Sequence, residues 1–218
     1  TDPTHGGGGG SYSAGTDQDN TAGFQSGDGQ VLITYEGCSD QVTFNYSGTI
    51  DSWEVPTGVT EVTIEVYGAQ GGSVTTTCPA TGGLGAKMAG DFSVTPGEVL
   101  SILVGQQGLT NGADAGGGGG SFVVRTGKIP LIIAGGGGGA TNNISQCGSN
   151  RDGIDASITT SGTASANGVV AGGTNGNGGG ASSGSGGGGG GFFTDGTAGT
   201  GLANNNGKSF LNGGIGGT

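Results

Sequence analysis

The chain has 218 residues, 59 of them glycine; five Lys+Arg against sixteen Asp+Glu leave a formal net charge of −11. So acidic a chain, with no cluster of Lys or Arg, repels nucleic acid and anionic membrane surfaces alike. Five prolines and no persistent Gly-X-Y frame exclude collagen, and no apolar run reaches the ~18 residues of a helical membrane span.

In chain order, 1–37 reads as a glycine run at Gly6–Gly10, a polar loop, and a strand at Gln30–Tyr35 behind a Gly-Asp-Gly turn. From 41 a second stretch opens. Val42, Phe44 and Tyr46 share one face of a strand, and Ser52–Val55 forms another, closed by the turn Pro56-Thr-Gly58. Val59–Tyr67 alternates, with Val62, Ile64 and Val66 on one side and Thr63 and Glu65 on the other, as in a half-buried antiparallel strand. Trp53, the only tryptophan, is expected to act as a packing anchor between sheets. Gly90–Val94 leads into a Pro96-Gly97 turn, and Glu98–Val104 is apolar on both faces, the pattern of a covered central strand.

Ser121–Arg125 and Ile129–Ala134 form a hairpin candidate across Thr126-Gly-Lys128, with Pro130 near a strand start or edge because it cannot donate to a ladder. No segment has helical periodicity. Beyond 141, large side chains thin to Ile144, Ile154, Ile158, Val169–Val170, Phe192–Phe193, Leu202, Phe210–Leu211 and Ile215, which are expected to tack an arm onto the module.

With only 30% of residues hydrophobic, much of the interior must be backbone. The uninterrupted runs Gly6–Gly10, Gly116–Gly120, Gly135–Gly139 and Gly186–Gly191 suit that role. A glycine run can adopt the polyproline-II conformation, with three residues per turn, but it satisfies none of its own amides and carbonyls. Buried runs must therefore lie side by side and exchange hydrogen bonds, and such close approach requires the absence of Cβ. The fold expected is all-β, an antiparallel β-sandwich with a bundle of polyglycine-II helices.

Cys38, Cys78 and Cys147 allow at most one internal bridge, and no pair has the short spacing of a zinc site. Cys78 and Cys147, both in polar loops, are the disulfide candidates, with Cys38 the odd one out; a bridge would favour an extracellular setting. Calcium is possible at Asp17 with Asp19 and at Asp152 with Asp155, although neither pair has EF-hand spacing and Asp favours turns without any metal. His5, the only histidine, lies in the N-terminal tail and is an unpromising catalytic base. No nucleophile elbow or phosphate-binding loop is present, so no enzyme and no cofactor are expected. A start at Thr1 rather than Met fits a processed or excised product, so the lack of a signal peptide leaves secretion open.

Gly116–Val124 followed by Lys128–Gly139 closely resembles the glycine-rich domain of the anaplastic lymphoma kinase and leukocyte tyrosine kinase receptors. Phe44–Ile50 and Trp53–Gly72 look like the opening of the same module, in the form common in bacterial surface and phage tail proteins, and Gly207–Gly214 looks like a later segment. The resemblance covers roughly 41–218 and is loose between 141 and 206. It implies the sandwich and the polyglycine bundle, and a non-enzymatic extracellular module: a cell-surface adhesin repeat or a filament subunit. The alternative is a receptor, carbohydrate-binding or phage receptor-binding module. Family members place a closing glycine run and strand after a stretch like Gly213–Gly217, whereas here those pieces come first. The chain is therefore divided into a closing segment, 1–37, and a β module, 38–218. The closing segment is expected to complete a neighbouring copy, the preferred arrangement, or its own module.

Overall fold

The computed structural model describes residues 5–35, 40–76, 78–110, 114–141, 151–164, 170–181, 186–199 and 204–218. Ten strands form two antiparallel sheets. They are β1 (Tyr12–Ser13), β2 (Thr21–Gln25), β3 (Gln30–Tyr35), β4 (Asp40–Asn45), β5 (Asp51–Glu54), β6 (Glu61–Tyr67), β7 (Gly85–Ser93), β8 (Val99–Leu103), β9 (Ser121–Arg125) and β10 (Ile129–Ala134). One sheet runs β1-β10-β9-β8-β5 and the other β2-β7-β6-β3-β4. One short 3-10 turn, Phe210–Asn212, is the only helical element among the described residues.

The alternation of β6 does what the pattern requires: Val62, Ile64 and Val66 point inward and are at most 1% exposed. They meet Val31 and Ile33 of β3, Met88 and Phe92 of β7, and, across the interface, Leu100, Ile102, Val123 and Ile132 of the other sheet. Trp53 of β5 is half-buried and packs its ring 5.6 Å from that of Tyr35 on β3, across the open flank of the sandwich. The β9–β10 hairpin turns through Gly127 and Lys128, both left-handed, and a register shift follows Pro130.

The sheet carrying β8, β9 and β10 is covered on its outer face as well. There Leu103, Phe122, Val124 and Ile133 pack with Phe192 and Phe210 from the C-terminal part of the chain. This second cluster explains why these strands are apolar on both sides; Val99 at the start of β8 and Ile129 at the start of β10 remain exposed. Of the other expected tacking residues, Val170 is buried, Ile154 is half-buried, Ile158, Phe193, Leu211 and Ile215 are exposed, and Ile144, Val169 and Leu202 lie outside the described residues.

Within this chain residues 5–35 share the common core. β3 lies between β4 and β6 in full register, and run 6–10 bonds to segments more than a hundred residues away, such as Gly139. His5 corrects the sequence reading: far from trailing in an exposed tail, it is 2% exposed.

Candidate functional site

The glycine runs continue the strands end-on. Run 6–10 enters β1, 81–84 enters β7 and 116–120 enters β9, while β6, β8 and β10 emerge into 68–72, 105–109 and 135–141. All these segments gather at one end of the sandwich as a hydrogen-bonded lattice outside the named strands.

Segment 135–141 shows its rule. Gly137 and Ala140 donate their amides to the carbonyls of Ala69 and Gly72, at 2.9 and 3.0 Å. Gly138 and Thr141 donate to Ile154 and Arg151, and Gly139 donates to Gly187. Its carbonyls accept in the same rhythm: Gly136 and Gly139 from Gly9 and Gly6, Gly135 and Gly138 from Ala86 and Gly83, Gly137 and Ala140 from Gly118 and Ala115. Three neighbours receive and three donate, and each two-bond contact recurs every third residue. Segment 115–120 repeats the arrangement with six neighbours, among them Leu109 and Gln106, Asn205, and Gly217.

The residues expected to form the bundle all lie in this region. Gly6 and Gly139 bond directly, Gly9 reaches Gly136, and Gly187 and Gly190 donate to Ala115 and Gly118. Gly10, Gly116, Gly120, Gly135, Gly186 and Gly191 are buried. Such spacing admits no side chain. A Cβ built on Gly116 would fall 1.9 Å from the Gly217 oxygen, and one on Gly138 would fall 2.0 Å from the Gly6 oxygen.

Polar side chains pin the lattice edge. Asp152 accepts the Thr81 amide and Asp155 the Leu84 amide, both at 2.6 Å, so the two carboxylates repeat the three-residue interval. Buried Arg151 donates to the carbonyls of Thr141 and Cys78. Ser11 Oγ donates to the Ser157 carbonyl and accepts the Gly135 amide. Burial, opposed by hydrogen bonds from Asn212 and Ser209 and by the Lys208 charge, leaves the Asp195 carboxyl below its usual value.

The calcium candidates do not converge. Asp17 occupies a left-handed turn and Asp19 pairs with Lys87 at 2.7 Å. Among the described residues, no three His, Cys, Asp or Glu side chains could hold a metal together. Cys78 is buried and disulfide-bonded; Cys147, the partner expected for it, and Cys38 both lie outside the described residues.

A second surface was not anticipated. On the outer face of β6 and its neighbours, Asn45, Gln30, Tyr67 and Lys87 stand in one cross-strand row. Gln30 Nε2 donates to Asn45 Oδ1 at 2.9 Å, and the Tyr67 hydroxyl donates to Glu65. Phe24 of β2, 51% exposed, lies 5.9 Å from the Tyr67 ring and 6.0 Å from Lys87 Nζ. Burial, the Glu65 hydrogen bond and the charges of Glu65 and Asp19 push the Tyr67 hydroxyl far above its ordinary value. The Asp19 hydrogen bond likewise holds the Lys87 ammonium above its usual value, burial opposing. The outward phase of Glu65 and Tyr67 was legible in β6; their meeting with Phe24 depends on the β2–β7 pairing, which was not.

No protein-family profile, curated protein or solved structure matches this chain. No helix among the described residues is long and apolar enough to cross a membrane.

Proposed function

We propose that the chain is a non-enzymatic extracellular structural module, one repeat of a surface adhesin or a subunit of a filament, whose glycine runs are polyglycine-II helices. The observation that supports it most is the three-residue recurrence of bonds around 135–141, the repeat of a polyproline-II-type helix. The resemblance of 53–72 and 116–139 to glycine-rich receptor and adhesin domains points the same way. Continuity of strands into lattice gives an axial pull a route through backbone hydrogen bonds rather than through side-chain packing alone. The carboxylates and the arginine at the lattice edge serve structural bonds.

Hydrogen exchange and surface labelling test the two halves of this reading. Amides of 116–120 and 135–139 are expected to exchange as slowly as those of β6, and antibody against the intact chain is expected to stain unbroken cells. Fast exchange in the runs overturns the lattice; staining only after permeabilisation overturns the surface role. Association of copies by exchange of residues 1–37 is tested by deleting them. Loss of assembly with a folded remainder supports exchange, and an unchanged monomeric mass refutes it.

A second reading, a carbohydrate-binding module, is favoured by Phe24 and Tyr67 beside the fixed amides of Gln30 and Asn45. Exposed rings stack on the apolar face of a sugar while oriented amides take its hydroxyls. Binding on a glycan array that Phe24→Ala abolishes would support this reading over the purely mechanical one; binding unaffected by the substitution would refute this platform.

A further inference from the structure

We propose that the cleft between the edge of the β1/β10 sheet and the lattice is a binding site for a small, neutral aromatic molecule of about two fused rings. The cleft has a volume of about 240 Å³. Tyr12 of β1, Pro130 and Ile133 of β10, and Phe192 and Phe193 supply nearly all of its wall as carbon.

Wall chemistry selects the occupant. The inner polar groups bordering the cleft are already engaged: Ser11 Oγ with Ser157 and Gly135, the Thr160 carbonyl with the Asn175 backbone amide, and the Gly176 carbonyl with the Phe193 amide; the Tyr12 hydroxyl and the Thr160 and Asn175 side chains belong to exposed rim residues. A sugar or a peptide backbone seated on the carbon wall would lose the water of every polar group that does not reach the rim, at a few kcal/mol per group. An anion would in addition meet a chain of net charge −11. An uncharged ring bears neither cost. Size narrows the choice further, because a dry apolar cavity of ~150 Å³ takes one benzene, so this cleft has room for a larger ring system.

The site is held open before any ligand arrives. Phe192, the inner wall, stacks on Phe210 at 5.2 Å and tilts against Phe122 at 5.8 Å. Phe193 stands edge-on to Phe192 at 4.9 Å. Gly176 closes the opposite side in a left-handed turn (φ 81°), where an added Cβ would come within 3.1 Å of the Phe193 ring. Tyr12 is fixed by its pairing with Ile133. The two mouth residues, Tyr12 and Phe193, are 38% and 57% exposed, so a bound ring removes apolar surface that is otherwise wet.

Naphthalene titrated into the full chain, followed by its own fluorescence, tests this directly. Saturable one-to-one binding is expected. Thr160→Trp, an exposed rim position whose indole would fill the cleft, should weaken binding at least about tenfold, as should Phe193→Ser. Ile50→Ser, an exposed apolar position between β4 and β5, should leave it unchanged. Far-UV circular dichroism checks that each variant is folded, and Phe193→Ser carries the test alone if Thr160→Trp is not. No saturable binding, or binding indifferent to the folded cleft variants, overturns the proposal. So does self-association that the cleft variants abolish while naphthalene fails to bind, because the occupant would then be a second copy of the chain.

Discussion

Substituting Gly137 by alanine should be among the most damaging single-methyl changes this protein can suffer. The added Cβ would fall 1.9 Å from the Gly83 oxygen and 2.4 Å from its carbonyl carbon. Even a tight carbon–oxygen contact needs about 3 Å, so the two segments must part by roughly 1 Å. The adjoining bond from the Gly83 amide to the Gly138 carbonyl, 2.9 Å long, would then stretch beyond hydrogen-bonding distance. Retreat in the other direction is blocked, because Gly137 also donates to Ala69 at 2.9 Å and accepts from Gly118 at 2.8 Å.

A buried amide and a buried carbonyl left unsatisfied cost about 1–3 kcal/mol each. With the strain passed to the neighbours, the expected loss is about 3–6 kcal/mol, a large share of the ~5–15 kcal/mol typical of a domain. Gly97→Ala is the control: nothing lies within 4 Å of its Cβ position, and only its φ of 80° opposes a side chain, at about 1–2 kcal/mol. Urea unfolding followed through Trp53 fluorescence measures both. If the two variants lose equal stability, close approach is not what reserves the lattice for glycine.

Non-reducing peptide mapping should recover Cys78 linked to Cys147; closing a loop of roughly 70 residues is worth about 4 kcal/mol in chain entropy, and a Cys78–Cys38 peptide would refute the pairing. Burial holds the His5 imidazole below its ordinary value of 6.5 against the pull of Asp152, so the unfolded chain takes up its proton first. Stability should be complete above pH 6.5 and fall as the pH drops through the window below it. His5→Gln should flatten that slope in urea midpoints, and a slope that persists would assign it to another group. Asp155→Ala removes the acceptor of the Leu84 amide and should cost about 1 kcal/mol; thermal melting identical to the parent would show that the bond contributes nothing.

Strands whose signal is side-chain alternation or β-branching were legible before the structure: β6, β8, and the β9–β10 hairpin with its Gly127 turn. β1, β2 and the first half of β7 were not. β7 is built on Gly85, Ala86, Ala89 and Gly90, residues of poor strand propensity, and the reason lies in tertiary packing. Segment 13–25 lies along that strand, and a Cβ on Gly90 would approach the Thr16 oxygen to 3.1 Å. The runs themselves were visible as composition, but their partners were not, since identical glycines carry no label of which neighbour they meet. His5 was misplaced because a single polar residue beside a glycine run gives no sign of burial. The Phe24–Tyr67 surface escaped notice for a different reason. It joins a residue in an apparent loop to one on a recognised strand, and only the sheet order brings them together.

The lattice also sets how the chain enters and leaves its folded state. Gly117 must meet Asn205 and Gly217, Gly139 must meet Gly6 and Gly187, and none of these contacts is local. A run cannot assemble before its distant neighbours, so the conformational entropy of many glycines is lost well before the bonds that compensate it are complete. Folding dominated by such contacts is slow. Opening is slow for the same geometric reason, as a buried run cannot leave without breaking bonds in several directions together. The resulting persistence is governed by a rate rather than by an equilibrium. In the extracellular role proposed above, out of reach of chaperones and exposed to proteases, a native state that rarely opens is worth more than one that refolds readily.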